Sequence, residues 1–226
     1  MISIAIDGHS GSGKGELSKG LAKRFNLKHL DTGAILRAMG LYFYRIEIKN
    51  PTTEDVENHY NNLNIKIEFD GNTQKTYLNN EDVSSEIRVE HIGQMASKVA
   101  VIEKAMRKLI SISQEFAKKY DCVMDGRNIT SEVLPDADVK FFLNASAECR
   151  AKRRLGDELK KNPNAKFEDI LASLIERDER DVNRAFSPMI KTPDSIVVDN
   201  TYMTIEETIE FCFNKAESIL KIKGKI

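Results

Sequence analysis

The chain has 226 residues, of which 41% are hydrophobic and 31% are charged. That length suits one α/β domain carrying an insertion, or two small domains. The formal net charge of −1 lacks the strong basic excess that is typical of nucleic-acid-binding proteins. Any recognition of phosphate therefore depends on where individual arginines lie, and we expect no nucleic-acid partner.

The three cysteines are odd in number and widely spaced. Cys122, Cys149 and Cys212 form no CxxC pair and have no histidine at metal-binding spacing. We interpret them as reduced thiols of a cytoplasmic protein. No apolar run is long enough to span a bilayer, and no cationic segment precedes an apolar stretch at the N-terminus. We therefore expect no signal peptide and no membrane partner.

The first predicted elements alternate between strand and helix. Residues 2–6 are a short apolar run that predicts a buried parallel strand, and apolar residues at helical spacing predict a helix over 14–25. A second helix is expected over 34–45, with Thr32 as its cap. Pro51 precedes a short third helix.

The pattern changes after residue 59. Residues 64–69 alternate polar and apolar with period two, and Asp-Gly-Asn at 70–72 is a turn signal. A second strand is expected over 75–78. This stretch predicts a β-hairpin, or a sheet of three strands, inserted in an α/β pattern.

The second half returns to alternating helices and strands. Residues 89–119 predict a helical region that is continuous or broken midway. The polar segment 156–166 predicts a loop or lid. The other predicted elements are strands at 122–126, 139–143 and 195–198, and helices over 146–155, 167–184 and 204–220. Such alternation predicts a parallel sheet covered on both faces.

A glycine-rich loop follows the first strand. Residues 8–15 fit the pattern G-x-x-x-x-G-K between a strand and a helix. Glycines let backbone N–H groups turn inward around phosphate oxygens, and Lys14 would reach the β and γ phosphates. A turn that binds nothing, or a dinucleotide fold, fits less well because the lysine is present and no GxGxxG occurs. The predicted ATP-binding residues are Gly8, His9, Ser10, Gly11, Ser12, Gly13, Lys14, Gly15 and Glu16.

One position departs from the full pattern of such loops. Gly15 and Glu16 follow the lysine, where a serine or threonine hydroxyl would meet Mg²⁺. We therefore expect no direct protein ligand for the metal. Phosphates and waters would hold Mg²⁺, with Asp7 or Asp125 acting through water. His9 is expected to have no proton role, because this chemistry needs no general base.

Several separate segments resemble bacterial cytidylate kinase, a family of P-loop nucleoside monophosphate kinases. The most specific is Asp-Val-Ser-Ser-Glu-Ile-Arg at 82–88, which follows the predicted hairpin. The matching segments run in the family's order from residue 2 to about 210. They are residues 7–15, 31–37, 81–88, 96–100, 125–127, 176–184 and 198–201.

The resemblance implies an α/β fold of the P-loop NTPase type. It has three layers, a five-stranded parallel sheet, a small inserted β-rich substrate domain and a helical lid. The expected division is a core of 1–59, 89–150 and 185–226, an insert of 60–88, and a lid and hinge helix of 150–184. The resemblance also implies ATP with Mg²⁺ as donor, CMP and dCMP as acceptors, and a monomer.

Phosphoryl transfer between two nucleotides brings many negative charges together, and arginine suits bidentate contact with phosphate. The predicted catalytic residues are Lys14, Arg127, Arg154, Arg177 and Arg184. The predicted acceptor-binding residues are Thr32, Arg37, Ser97, Arg107, Asp125, Arg127, Asn128, Arg177, Asp181 and Arg184. Among these, the resemblance assigns Arg37 and Arg127 to the acceptor phosphate. Arg153 belongs to the same group of arginines near the predicted lid.

The resemblance also assigns the base and the sugar. It implies that Ser97, Arg107 and Asn128 contact cytosine, and that Arg177 and Asp181 contact the sugar. Arg107 aligns only if one residue is inserted after Ser97. Asn128 stands where the family usually has aspartate, and asparagine can donate as well as accept.

Two departures from the family keep other activities open. We hypothesise that Asn128 relaxes discrimination against uracil, and Leu36 stands where the family often has tyrosine. The alternatives are a kinase for another pyrimidine monophosphate such as UMP, or an ATP-binding regulatory protein of low turnover. Glu16 is the only support for the regulator, whereas a cluster of arginines at the lid argues against it.

Overall fold

The computed structural model describes residues 1–160 and 162–226. The strands in chain order are β1 (Ser3–Gly8), β2 (Lys28–Asp31), β3 (Ile65–Asp70), β4 (Thr73–Leu78), β5 (Glu81–Asp82), β6 (Cys122–Gly126), β7 (Val139–Asn144) and β8 (Ile196–Asp199). The helices are α1 (Lys14–Phe25), α2 (Thr32–Arg45), α3 (Thr53–Asn58), α4 (Glu90–Val99), α5 (Glu103–Ala117), α6 (Ala147–Glu158), α7 (Phe167–Asn183) and α8 (Ile205–Ile222).

The central sheet has five parallel strands in the order β2-β6-β1-β7-β8. Its register pairs Asp31 of β2 with Asp125 of β6, and Asp7 of β1 with Gly126. The carboxyl ends of these three strands therefore meet at one edge of the sheet, where folds of this class bind ligands. The expected α/β fold with a five-stranded parallel sheet is confirmed.

The core lies on both faces of this sheet. Along β1, Ile4 and Ile6 pack into one apolar cluster with α1 and α8, whereas Ala5 packs into the other with α2, α4 and α5. Successive side chains of a strand point to opposite faces, so a strand covered on both sides must be apolar throughout. That requirement explains the uninterrupted apolar run at the start of the sequence.

A second sheet is small and antiparallel. Strands β3, β4 and β5 pair in that order, and the turn between β3 and β4 includes Gly71. The hairpin contacts the edge strand of the central sheet, because Lys28 Nζ donates to Gly71 O at 2.6 Å. Gln74 Oε1 accepts from Asp31 N at 2.8 Å. The predicted inserted hairpin with a third strand is confirmed.

The start of α2 differs from the prediction, and the structure decides between the two alternatives for residues 89–119. Asp31, rather than Thr32, caps α2: its carboxylate accepts from Ala34 N at 3.2 Å. Thr32 is the first helical residue, and its hydroxyl donates to Asp125 O. The region 89–119 is broken, since α4 ends at residue 99 and α5 begins at residue 103.

The predicted lid segment 156–166 is partly helical. Helix α6 continues through Gly156 to Glu158, because one glycine inside a helix costs only about 1 kcal/mol relative to alanine. Lys161, which this prediction included, lies outside the described residues. Among the helices of the described part of the chain, none is long and apolar enough to cross a membrane.

Candidate active site

A cavity of about 990 Å³ opens at the carboxyl ends of β1, β2 and β6. Its walls come from the loop after β1, the start of α2, the inserted hairpin, the residues after β6, and helices α4 to α7. Parallel strands, a glycine-rich loop and an inserted sheet therefore face the same space. The volume of that space lies within the range of small-molecule binding sites.

The loop between β1 and α1 forms one wall of the cavity. Gly8 is required by sterics: its φ is +147°, and a Cβ there would lie 2.0 Å from Leu143 O. Lys14 is buried at the start of α1, and its Nζ donates to His9 O at 2.6 Å. Burial, and next the positive charge of Arg127, lower the pKa of Lys14, while Asp125 opposes them. The ammonium is thus held without full solvation, which favours an incoming anion.

Arginines from α7 and from the end of β6 face this loop. Arg127 Nε lies 2.7 Å from Asp181 Oδ2. Burial lowers the pKa of Arg127, but the nearby carboxylates, Asp181 first among them, together outweigh burial and raise it. Burial, and next the charge of Arg127, lower the pKa of Arg177 to about 10. The cavity is lined by all three of these residues, Arg127, Arg177 and Asp181.

Two buried guanidinium nitrogens in this cluster lack acceptors. Within the described part of the chain, Arg177 Nε and Arg184 Nη2 have no hydrogen-bond partner. Buried polar groups in native proteins are nearly always paired, so such groups need an explanation. Both side chains line the cavity, and an anionic ligand there would supply the missing acceptors.

Arginines of the insert and of α2 converge on one carboxylate. Asp31 Oδ2 lies 3.2 Å from Arg37 Nη1 and 2.5 Å from Arg88 Nη1. Burial raises the pKa of Asp31, but the two arginines outweigh burial and lower it. The carboxylate therefore stays ionised at neutral pH and orients both guanidinium groups beside the cavity.

The remaining polar residues of the wall are held by specific partners. Asp125 Oδ1 lies 2.6 Å from His29 Nε2. Asn128 is buried, and its Nδ2 donates to Ser187 Oγ at 2.8 Å. Ser97 Oγ accepts from Arg180 Nη1. These contacts leave Asp125 Oδ2 and Asn128 Oδ1 without a partner among the side-chain hydrogen bonds of the described residues.

The carboxylates near the loop do not form a cage for a cation. Within the described ranges, no group of three or more His, Cys, Asp or Glu residues is placed to hold a metal. Asp7 is fully buried and accepts from Ile129 N, Thr130 N and Thr130 Oγ1 at 2.7–2.9 Å. Asp7 does not line the cavity, so of the two carboxylates predicted to act on Mg²⁺ through water, Asp7 is not placed to do so. Asp125 does line it.

Comparison with known sequences decides the family. The sequence model of the family described as "Cytidylate kinase" matches residues 4–218. The chain belongs to the cytidylate kinase family. It is therefore a kinase, an enzyme of the transferase class, as the resemblance of separate segments implied.

Similar proteins cover almost the whole chain. It is 40% identical over 209 residues to "Cytidylate kinase" of Caldicellulosiruptor saccharolyticus, covering 92% of each sequence. It is 38% identical over 218 residues to "Cytidylate kinase" of Fusobacterium nucleatum, covering 96% of this chain and 98% of the relative. A crystal structure of an uncharacterized protein from Eubacterium ventriosum is similar with a TM-score of 0.51 at 16% identity, covering 96% and 98% of the two chains. That likeness concerns the fold alone.

The structure brings most of the predicted site residues of this family member to one cavity. The glycine-rich loop exposes Ser10, Gly11, Gly13, Gly15 and Glu16 to it, while Gly8, His9 and Ser12 do not line it. The other predicted residues that line the cavity are Lys14, Thr32, Arg37, Ser97, Asp125, Arg127, Asn128, Arg154, Arg177, Asp181 and Arg184. Their individual roles stay predictions.

Arg107 is the exception, and its predicted place beside the acceptor is wrong. Its Nη2 lies 2.6 Å from Glu103 Oε1, and its guanidinium stacks over the Phe186 ring at 4.7 Å. The side chain lines a separate surface pocket. Met106, one residue earlier, faces the cavity instead. Successive residues of a helix differ by about 100° in direction, so Arg107 points away from the cavity that Met106 lines.

Sequence reasoning also missed several residues of the site. Arg88 ends the most family-specific segment, so its position was visible although its partner Asp31 was not. His29 and Gln74 reach the cavity wall without any local motif to mark them.

Arg153, which the sequence analysis grouped with the arginines near the lid, lies outside the cavity. Its guanidinium donates to the backbone carbonyls of Asn200 and Met203.

Proposed function

We propose that this chain transfers the γ-phosphoryl group of ATP to CMP, and to dCMP, by direct in-line transfer. The observation that carries the proposal is one cavity with a glycine-rich loop and Lys14 on one side, and buried arginine nitrogens without acceptors on the other. Two anionic ligands meeting there would satisfy both sides. The relatives compared above are named cytidylate kinase, and we propose that CMP is the acceptor of this chain as well.

The donor nucleotide would lie on the loop. The backbone N–H groups of the loop that face the cavity would surround the β and γ phosphates, and α1 would add the positive end of its dipole. Lys14, already desolvated, would exchange its bond to His9 O for a phosphate oxygen. The incoming charge is thereby neutralised at a site that is prepared for it.

The acceptor would lie between the insert, α4 and α7. Arg37 and Arg127 would hold its phosphate, and Arg184 would contribute the donor that lacks a partner in the protein. Asp181 and Arg177 would contact the sugar, while Ser97 and Asn128 would contact the base. Without Arg107 in the cavity, base recognition rests on fewer groups than the resemblance implied.

Catalysis then consists of positioning and charge stabilisation. The acceptor phosphate is already anionic, so no side chain needs to become a covalent nucleophile. Arg154 and Arg177 would neutralise the charge that is spread over the transferring group. Helices α6 and α7, which supply them, cover the loop and would exclude the water that otherwise hydrolyses ATP.

Mg²⁺ fits this site as an ion carried by the nucleotide. When bound, it supplies neutralisation of the β and γ phosphate charge. Asp125 is the carboxylate of the cavity floor with an oxygen that makes no side-chain hydrogen bond in the described chain, and it would hold metal-bound water. Glu16 is paired with Lys19 at 2.7 Å, which lowers its availability as a direct ligand.

We further propose how the chain is divided into subdomains. Residues 60–88 would form the acceptor subdomain and 150–184 the lid and hinge helix, with 1–59, 89–150 and 185–226 as the core. A small-molecule site of this kind needs no nucleic acid or membrane partner. A cytoplasmic monomer is consistent with the free cysteines.

The test is release of ADP from ATP and Mg²⁺ with CMP, dCMP, UMP, AMP and GMP in turn, measured by a coupled assay. We expect the highest kcat/KM with CMP and dCMP. A higher value with another monophosphate would replace the acceptor in the proposal. Slow ATP hydrolysis that no monophosphate accelerates, together with tight ATP binding, would instead indicate a regulatory protein.

A further inference from the structure

The main chain of Ser10, in the middle of the loop, is held from outside the cavity by an ion pair. Arg150 of α6 is buried, and its Nη1 donates to Ser10 O at 2.9 Å and to Asp178 Oδ2 at 2.6 Å. Asp178 of α7 accepts from Ser10 N through Oδ1 at 3.3 Å. One arginine and one aspartate thus engage both polar groups of the same residue.

Helix α6 also holds the loop at a second point, through Arg153, which lies three residues after Arg150. Arg153 Nη1 donates to Asn200 Oδ1 at 3.3 Å, and its Nη2 donates to Asn200 O at 2.7 Å. Asn200 is buried and donates through Nδ2 to Ser12 O at 3.0 Å. Two alternate carbonyls of the loop, at residues 10 and 12, are therefore drawn outward by groups that α6 positions.

The direction of these carbonyls sets the direction of the amides. In a trans peptide the C=O of one residue and the N–H of the next point in opposite directions. With Ser10 O held by Arg150 and Ser12 O held by Asn200, the N–H groups of Gly11 and Gly13 point away from both. Both glycines line the cavity, whereas Arg150 and Asn200 do not.

The two glycines also have the backbone conformation that this arrangement requires. Gly11 has φ +77° and Gly13 has φ +92°, and residues in that region alternating with others make N–H groups converge on an anion. On the other side of Ser10, its N–H is taken by Asp178, so His9 O points the opposite way, where Lys14 Nζ donates to it. The contact between Asp178 and Ser10 therefore orients the lysine as well.

We propose that Arg150 and Asp178 are positioning residues of the donor site. They clamp the Ser10 peptide so that the loop amides face the cavity before any nucleotide arrives, and they contact no phosphate themselves. The inference rests on the proposed function, because it takes the anion of the loop to be ATP.

The test measures ATP binding separately from acceptor binding. Asp178→Ala removes the acceptor of the Ser10 N–H and the partner of Arg150, and Asp178→Asn removes the charge and one of the two acceptor oxygens. We expect Asp178→Ala to raise the dissociation constant of ATP–Mg²⁺, measured by calorimetry without acceptor, about tenfold, as loss of charged hydrogen bonds does. Asp178→Asn should lie between this variant and wild type, and the KM of CMP should change less than about twofold in both.

A matched control is the pair of Lys140 and Asp194, a buried cation and an aspartate at 2.6 Å that do not line the cavity. Asp194→Asn should leave ATP affinity unchanged. Equal losses of ATP and CMP affinity in the Asp178 variants, or wild-type ATP affinity in folded Asp178→Ala, would overturn the clamp. If Asp178→Ala does not fold, Asp178→Asn and Arg150→Lys decide by the same comparison.

The two proposals fail in different ways. Wild-type protein that takes up no ATP–Mg²⁺ would overturn the proposed function. Wild-type protein that binds ATP and phosphorylates CMP, with Asp178 variants that bind ATP equally well, would overturn the clamp alone.

Discussion

Arg88 Nη1 of the inserted segment lies 2.5 Å from Asp31 Oδ2 at the carboxyl end of β2. The same oxygen lies 3.2 Å from Arg37 Nη1. Gln74 of the hairpin adds hydrogen bonds to Asp31 N and O. One aspartate thus joins the small sheet to the central sheet and orients the arginine that we assign to the acceptor phosphate.

Replacing Arg88 tests that junction. In Arg88→Ala, Asp31 would pair with Arg37 alone, so the acceptor phosphate would have to compete with a stronger ion pair. We expect the KM of CMP to rise about fivefold while the KM of ATP stays unchanged, because a half-exposed pair contributes about 1 kcal/mol or less. Steady-state kinetics with CMP varied at saturating ATP, and with ATP varied at saturating CMP, measure the two constants.

Arg45→Ala is the control for this experiment. Arg45 also joins α2 to the insert, through Glu81 and Glu86 at 2.6 Å, but does not line the cavity. Its loss should leave the KM of CMP near the wild-type value. An equal rise in both variants would mean that attachment of the insert matters, and not the geometry of Asp31.

Lys14→Ala tests the charge at the loop. Removing the ammonium should lower kcat by about a thousandfold or more, since it neutralises charge that develops during transfer. The fold should survive, because the burial that lowers the pKa of Lys14 makes that ammonium costly to keep in the unliganded protein. Circular dichroism and single-turnover rates check the two parts, and a folded variant with nearly wild-type kcat would refute the assigned role.

Asn128→Asp tests how the protein distinguishes cytosine from uracil. Ser187 Oγ can accept from the amide or donate to it, so the Asn128 amide can present either its oxygen or its NH₂ group to the cavity. A carboxylate only accepts, which favours the exocyclic amine of cytosine. We expect the ratio of kcat/KM for CMP over UMP to rise about tenfold. The hypothesis of relaxed discrimination fails if this ratio is the same in both proteins.

Asp181→Asn tests the ion pair with Arg127 through its pH dependence. Burial raises the pKa of Asp181, but Arg127 and Arg177 outweigh it, and the pKa lies below its ordinary 3.8. The carboxylate therefore stabilises the fold fully above the unfolded pKa, and this contribution is lost as pH falls through the folded pKa. At neutral pH we expect the variant to lose about 3 kcal/mol of unfolding free energy.

Urea denaturation at several pH values measures this effect. The difference in unfolding free energy between wild type and Asp181→Asn should be constant from neutral pH to about pH 5, and should narrow below about pH 4. A difference that widens on acidification would contradict the sign of the pKa shift.

Most of the fold prediction rested on sequence patterns formed by neighbouring residues. The period-two alternation over β3, the turn at Gly71 and the apolar run of β1 each depend on neighbouring residues, and each element formed as expected. Ser146 and Thr204 cap α6 and α8 in the structure, since both side chains accept from a backbone N–H three residues on. Thr32 is not the cap because the Asp31 carboxylate accepts from Ala34 N and the Thr32 hydroxyl donates to Asp125 O.

The wrong predictions concern where a side chain points, and not which type of residue the site needs. Asp7 and Asp125 end neighbouring strands, yet β1 is central and its acid is enclosed by Ile129 and Thr130, while Asp125 faces the cavity. Arg107 has the residue type that the site needs, but the phase of α5 turns it toward Glu103. Neither outcome is encoded in residues close to them in the chain.

The sequence by itself determined the glycine-rich loop, the order of strands and helices, the inserted hairpin and the family. These follow from the backbone freedom of glycine, from hydrophobic periodicity and from short motifs, which are properties of contiguous residues. Only the tertiary structure decided which arginines face the cavity, that Asp31 is shared between Arg37 and Arg88, and that Arg150 and Asp178 hold Ser10. The members of each contact lie far apart in sequence, so sheet register and helix phase bring them together.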